Sequence, residues 1–302
     1  MTKELTSFAK KYVRLLNIFS FLVLLIPNNF QPALIFWLGR VLSPFNVYAE
    51  KITRSIRTAL PECNTKTVWN NWRNSHIQFL LDFLGYKHLN SAWLGDRVNC
   101  SDESALAALK QSGGLLLTYH THHQNTMCCV LGLKHMRVSA VAASPTDSPL
   151  FPYIGKWATR VNTDSAMHFN GGRYVFTNNL RRLLSTTREC LIKGEVVVSL
   201  CDFHQPKPEP VSNGILLNRC ISPPTGIIEI ALKYKVPIFL ALFAPVEGKH
   251  YLHITQLTAA QSLDVVVSQY FSFLESNIRT NPACWQGWEW FEELPKNLET
   301  TI

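Results

Sequence analysis

The run "GGLLLTYHTHHQNTMCC", residues 113–129, sets His120, His122 and His123 side by side directly after an apolar stretch. Imidazole ionises near neutral pH, so such a cluster suits three roles: general base in a group transfer, metal nest, or polar filling at a strand end. Its surroundings narrow the geometry. Leu115, Leu116, Leu117 and Thr118, opened by Gly113-Gly114, read as a short buried strand. From Gln124 onward, Asn125, Met127, Cys128, Val130, Leu131 and Leu133 fit a helical period. The histidines therefore stand at a strand-to-helix junction, beyond the carboxyl end of a strand, where open α/β sheets bind ligands. Two further residues carry usable charge. Asp202 ends the β-branched run "EVVVSLC", and Arg160 in "KWATRVN" has the guanidinium that suits a phosphate or an oxyanion. Each also has a plain reading, Asp202 as a cap for the next loop and Arg160 as a surface residue.

These residues need a scaffold, and the hydrophobic pattern supplies one. "VWNNWRNSHIQFLLDFLGY" (68–86) places Val68, Trp72, Ile77, Phe79, Leu80 and Phe83 mostly on one helical face. The strand over 114–119 and its helix are followed by a second strand, "VSAVAA" (138–143). A helix over 177–194, stopped by Gly194, leads into the strand 195–201. A helix over 225–235, the strands "VPIFLALFAP" and "YLHITQL", and a closing amphipathic helix in "DVVVSQYFSFLESNIRTNP" complete the series. Strands alternating with helices predict an α/β sheet covered on both faces.

Composition bounds the partners. The chain of 302 residues is 47% hydrophobic and 17% charged, which leans towards a membrane or an apolar ligand. Its net charge of +8 suits an anionic partner such as acidic lipid or an acidic carrier protein. The basic residues are dispersed, with pairs such as Lys10-Lys11 and Arg181-Arg182 and no aromatic-basic motif, so nucleic acid is not expected. Eight cysteines without a C-x-x-C pair suggest a reducing compartment and argue against a thiolate zinc site. At the N-terminus, "VRLLNIFSFLVLLI" (13–26) is too short to span a bilayer as a helix and is followed, after Pro27-Asn28-Asn29, by "ALIFWLGRVL". With Lys10, Lys11, Arg14, Trp37 and Arg40 at their flanks, the two stretches predict a membrane-associated helical anchor over 1–45, ahead of one α/β domain over 46–302. A buried core helix is the alternative.

Five segments, in order, resemble the late acyltransferases of lipid A biosynthesis in Gram-negative bacteria, within the wider lysophospholipid acyltransferase superfamily. "IRTALPE" is similar to the family's arginine-leucine-phenylalanine-proline block. "GGLLLTYHTHHQN" falls where the family has its strand, catalytic histidine and, four residues further, an acid. "KGEVVVSLCDF" resembles its strand ending in aspartate, "PPTGIIEIALKYKVPIFLALF" its Thr-Gly helix and following strand, and "NIRTNPACWQGW" its last helix and Pro-Trp segment. The resemblance implies a mixed central sheet with helices on both faces, as in glycerolphosphate acyltransferases. It further implies an acyl or aminoacyl group carried on a carrier-protein thioester, a lipid A hydroxyl as acceptor, and the cytoplasmic face of the bacterial inner membrane. No cofactor or metal is implied.

His120 aligns with the family's base, but its acid position holds Asn125, which can orient the ring and brings no charge. Either Asp202 or Glu103 then supplies the carboxylate, or the chemistry is less demanding. The last segment departs too, with Glu289, Glu292 and Glu293 where the family is basic. A divergent branch that transfers glycine to lipid A, and so confers resistance to cationic peptides, fits the missing acid, because an aminoacyl thioester is activated by its own ammonium group. The expected site is thus His120, Asn125 and Asp202 for catalysis, with His122, His123 and Arg160 contacting substrate. Three alternatives stand beside glycyl transfer. Ordinary fatty acyl transfer is the first, and a non-catalytic membrane protein the second. The third is a zinc hydrolase of the H-x-H-x-D-H type, in which Gln124 and Asn125 would occupy two ligand positions.

Overall fold

The structure is a computed structural model that describes residues 37, 49–86, 89–90, 98–147, 151–205, 212–246, 249–257 and 262–296. The expected anchor over 1–45 lies outside the described residues, apart from Trp37. No helix among the described residues is long and apolar enough to cross a membrane.

Two helices lead in, α1 (Ala49–Ala59) and α2 (Thr65–Gly85), the second capped by Asn64, whose side chain accepts from Thr67 N. The short strand β1 (Val98–Cys100) precedes α3 (Glu103–Ser112), where Asp102 Oδ1 accepts from the backbone of Ser104 and Ala105 at 2.9 Å each. Then β2 (Gly114–Thr118), α4 (Gln124–Leu133), β3 (Val138–Ala142), α5 (Phe151–Ala166), β4 (Arg173–Phe176), α6 (Leu180–Ile192) and β5 (Val196–Leu200) alternate. A hairpin of β6 (Gly214–Leu216) and β7 (Arg219–Ile221) is followed by α7 (Gly226–Lys233), β8 (Ile238–Val246), β9 (Lys249–Gln256) and α8 (Leu263–Thr280). Short 3₁₀ turns over 282–293 close the described chain.

Seven strands form one sheet in the order β1-β9-β8-β2-β5-β3-β4. Only β8 and β9 run antiparallel, so the sheet is mixed, as the resemblance implies. Side chains alternate across it with period two. Leu115, Leu117, Val197 and Leu240 face a core built with α1, α6, α7 and α8. Leu116, Val196, Val198 and Phe239 face a second core with α3, α4 and Val161 of α5. Helices therefore cover both faces.

The register of the two central strands sets up the site. Gly113 holds φ +65°, and a Cβ there would lie 2.2 Å from Gly194 O, so only glycine lets the turns before β2 and β5 pack together. With those turns touching, β2 and β5 pair from Gly114↔Val196 to Thr118↔Leu200, and their carboxyl ends finish level. The sequence pattern places most of these elements within a few residues. It misses α5, where Pro152 and Gly155 obscure the helical period, and the three- and four-residue strands β1, β4, β6 and β7, too short to show alternation.

Candidate active site

His120 and Asp202 each stand two residues beyond the paired ends Thr118 and Leu200, on adjacent parallel strands. That placement brings them together. His120 Nδ1 donates to Asp202 Oδ1 at 2.7 Å, and the His120 backbone N–H donates to Oδ2 at 3.0 Å. Trp285 Nε1 donates a third bond, to Oδ2, at 2.8 Å. The Asp202 side chain is 0% exposed and that of His120 30%, so the carboxylate is sealed while the ring opens to a cavity. Three N–H donors satisfy a charge that burial alone would make costly.

The bond at Nδ1 fixes the neutral tautomer and leaves Nε2 as the ring nitrogen available for proton transfer. Burial disfavours the imidazolium, but the Asp202 charge, the hydrogen bond to it and the Glu289 charge together outweigh that, and the His120 pKa lies above its ordinary 6.5. Burial pushes Glu289 the other way, up to about 7, against the opposing charges of His120 and Lys51. A base held by a buried carboxylate is therefore present, and the carboxylate is Asp202. Glu103 lies at the exposed start of α3, forming no part of the site.

Asn125 does not orient the ring, since Asp202 holds the nitrogen it was expected to reach. It lines the cavity instead, with Gln124. The histidine next to His120 but one turns inward. His122 is buried, accepts at Nδ1 from Gln286 Nε2 at 3.1 Å, and packs edge-on against His76 and Trp72. Burial first, then the charges of His76 and His123, hold its pKa well below 6.5, so it stays neutral. His123 is also buried, with Nδ1 donating to Asp82 Oδ2 at 2.9 Å. Arg160 lies on α5, its side chain 67% exposed, 3.5 Å from Asp164. Neither His122, His123 nor Arg160 lines the cavity, so the expected substrate contacts are not where the site opens. Consecutive side chains at a strand end point to different sides, and the spacing in sequence does not say which one meets the cavity.

The cavity beside His120 holds about 740 Å³, within the usual range of ligand sites. Ala140, Ala142, Leu183, Leu184, Val198 and Ile227 give it apolar walls, and among its described lining residues Glu229 is the one acidic side chain, with no lysine or arginine. The first residues of α4 and α7 also reach it, bringing the positive ends of two helices to the rim. Cys128 lines it as well, but burial pushes that thiol up to about 12, which leaves no thiolate to act as a nucleophile.

The closing segment, which sequence reading left as a Pro-Trp stretch without a role, completes the site. Thr121 bridges to Trp285, Gln286 N donates to His120 O at 2.8 Å, and Trp72 Nε1 donates to Trp285 O at 2.9 Å. Trp290 stands edge-on to the His120 ring at 5.2 Å. A tryptophan-rich tail after the last helix was the available signal, and its partner Asp202 lies 83 residues away.

No protein-family model matches the chain, and no curated protein matches it in sequence. Among solved structures it is similar to the 1-acyl-sn-glycerophosphate acyltransferase PlsC of Thermotoga maritima, at 14% identity and a TM-score of 0.39, over 85% of this chain and 99% of that one. At that identity and TM-score the likeness assigns neither a reaction nor a residue role.

Proposed function

We propose that the protein is an acyltransferase that moves a glycyl group from a carrier-protein thioester to a hydroxyl on an apolar chain of lipid A. The observation that carries this reading is the His120–Asp202 dyad opening onto an apolar cavity. His120 Nε2 takes the proton of the acceptor hydroxyl as its oxygen attacks the thioester carbonyl carbon. Asp202 stabilises the imidazolium that forms. The tetrahedral oxyanion develops near the helix starts of α4 and α7. Its collapse breaks the carbon–sulfur bond, and the imidazolium returns the proton to the leaving thiolate, giving ester and free thiol.

The cavity suits the hydroxyacyl chain of the acceptor, because its walls are apolar and its described lining residues include no lysine or arginine to hold a phosphate. Glu229 on its wall, and Glu289, whose charge acts on His120, suit the ammonium of an aminoacyl donor. A second reading, fatty acyl transfer, is favoured by the cavity's size alone. The net charge of +8 fits docking of an acidic carrier, and the 1–45 segment fits attachment to the cytoplasmic face of the inner membrane. The test is mass spectrometry of lipid A from cells with the protein, without it, and with His120→Ala. A glycyl increment that disappears with His120→Ala supports the proposal, a fatty acyl increment selects the second reading, and unchanged lipid A overturns both.

A further inference from the structure

Behind the dyad lies a second cluster that the transfer reaction does not use. Asp82 on α2, His123 at the N-cap of α4 and His250 on β9 each offer a ligand atom, and the three atoms lie within 4.8 Å of one another. Asp82 Oδ2 is 2.9 Å from His123 Nδ1 and 4.0 Å from His250 Nε2. The second distance is too long for a hydrogen bond. Ligands about 2.0–2.1 Å from a tetrahedral zinc ion stand about 3.3 Å apart, a value between the two separations found here. The third separation, between His123 and His250, is within 4.8 Å, so shifts on the order of 1 Å shared among the side chains close the three atoms around one ion.

The surroundings are those of a built site. The Asp82, His123 and His250 side chains are 11%, 2% and 11% exposed. Gln78 Nε2 holds the other carboxylate oxygen, Oδ1, at 2.8 Å, and the Thr126 hydroxyl reaches Oδ2 at 3.4 Å. Such outer contacts fix a ligating carboxylate in place. His250 stacks flat on Phe243, 5.0 Å between centroids, which sets its ring plane. Burial pushes the Asp82 carboxyl up, but the His123 hydrogen bond and the His123 and His250 charges outweigh it, and the group stays below its ordinary value.

We infer that Asp82, His123 and His250 bind a zinc ion that ties α2, the start of α4 and β9 together, three residues behind the base His120. Two imidazoles and one carboxylate match zinc, whereas calcium and magnesium require mainly oxygen ligands. A water completes the tetrahedron. The ion is structural in this reading. None of its ligands lines the cavity, and its proper effect is on the order of the loop that carries His120.

The full-length protein, stripped with chelator and reloaded, tests this without reference to transfer activity. Elemental analysis should find close to one zinc per chain in the wild type and in His120→Ala. Asp82→Asn and His250→Ala should lose it, and zinc should raise the melting temperature of the wild type and of His120→Ala but not of these two variants. Should those variants fail to fold, cobalt added to the stripped wild type decides, because a tetrahedral site gives intense visible absorption that zinc then bleaches. Zinc retained by a folded His250→Ala, or a wild type that takes up neither ion, overturns the assignment.

Discussion

Asp202→Asn separates charge and tautomer from shape. The amide oxygen of asparagine can keep the two donors now on Oδ2, the His120 backbone N–H and Trp285 Nε1, at 3.0 and 2.8 Å. Its NH₂ then takes the place of Oδ1, 2.7 Å from His120 Nδ1, and two N–H groups would face each other. The ring resolves that clash by moving its proton to Nε2, which then cannot accept one from a hydroxyl. In the serine-protease triad the corresponding change costs about 10⁴ in kcat, or roughly 5 kcal/mol of barrier. A similar loss is expected here, with little loss of stability because both remaining donors stay paired. The assay is single-turnover transfer from the loaded carrier to lipid A, with circular dichroism and urea unfolding as controls. Asn125→Ala is the comparison, and it should lose much less, because Asn125 lines the cavity without holding the ring. A folded Asp202→Asn variant within about tenfold of wild type would refute the dyad, the more so if Asn125→Ala were the weaker enzyme.

Four further outcomes follow from the same geometry. The base works only when neutral, so the rate should fall as pH drops through the His120 pKa, which lies above 6.5, and Glu289→Gln should move that limb to lower pH by removing a charge that favours the imidazolium. In stability the sign is opposite: the His120–Asp202 pair should contribute most below about 6.5 and be lost as pH rises through the folded pKa, measurable by urea unfolding at a series of pH values. Ala142→Phe fills part of the cavity and should cut kcat/KM for the lipid acceptor roughly tenfold or more at an unchanged melting temperature, whereas an unaltered kcat/KM would mean the acceptor chain lies elsewhere. Trp285→Phe removes one N–H from a sealed carboxylate and should cost about 2 kcal/mol of unfolding free energy, read from the urea midpoint.

How far the sequence discloses this site depends on the range of the contact that matters. The strand 114–118 and the helix after it follow from local pattern, and so does the position of His120 beyond the strand. The partner of His120 does not, because that requires knowing that β2 and β5 are neighbours and end level. The level ends come from Gly113 and Gly194, which look in sequence like ordinary turn glycines. Asn125 attracts attention for the opposite reason. It sits one helical turn from the base in sequence, yet the short distance along the chain is irrelevant once a carboxylate from the adjacent strand has claimed Nδ1. The three clustered histidines divide the same way. They share one stretch of chain but go to three environments: His120 to the cavity, His122 to the aromatic side chains of α2, and His123 to Asp82. A metal-nest reading of the cluster asked for ligands adjacent in sequence. The side chains that converge on His123 come from α2 and β9, 41 residues upstream in one case and two strands along the sheet from β2 in the other. What links the two centres is the chain itself, since the residues between His120 and His123 form one turn anchored at Asp202 on one end and at Asp82 on the other. An aspartate at each end of that turn leaves the ring of His120 little freedom, and that is the condition a base needs to meet a hydroxyl at a fixed distance.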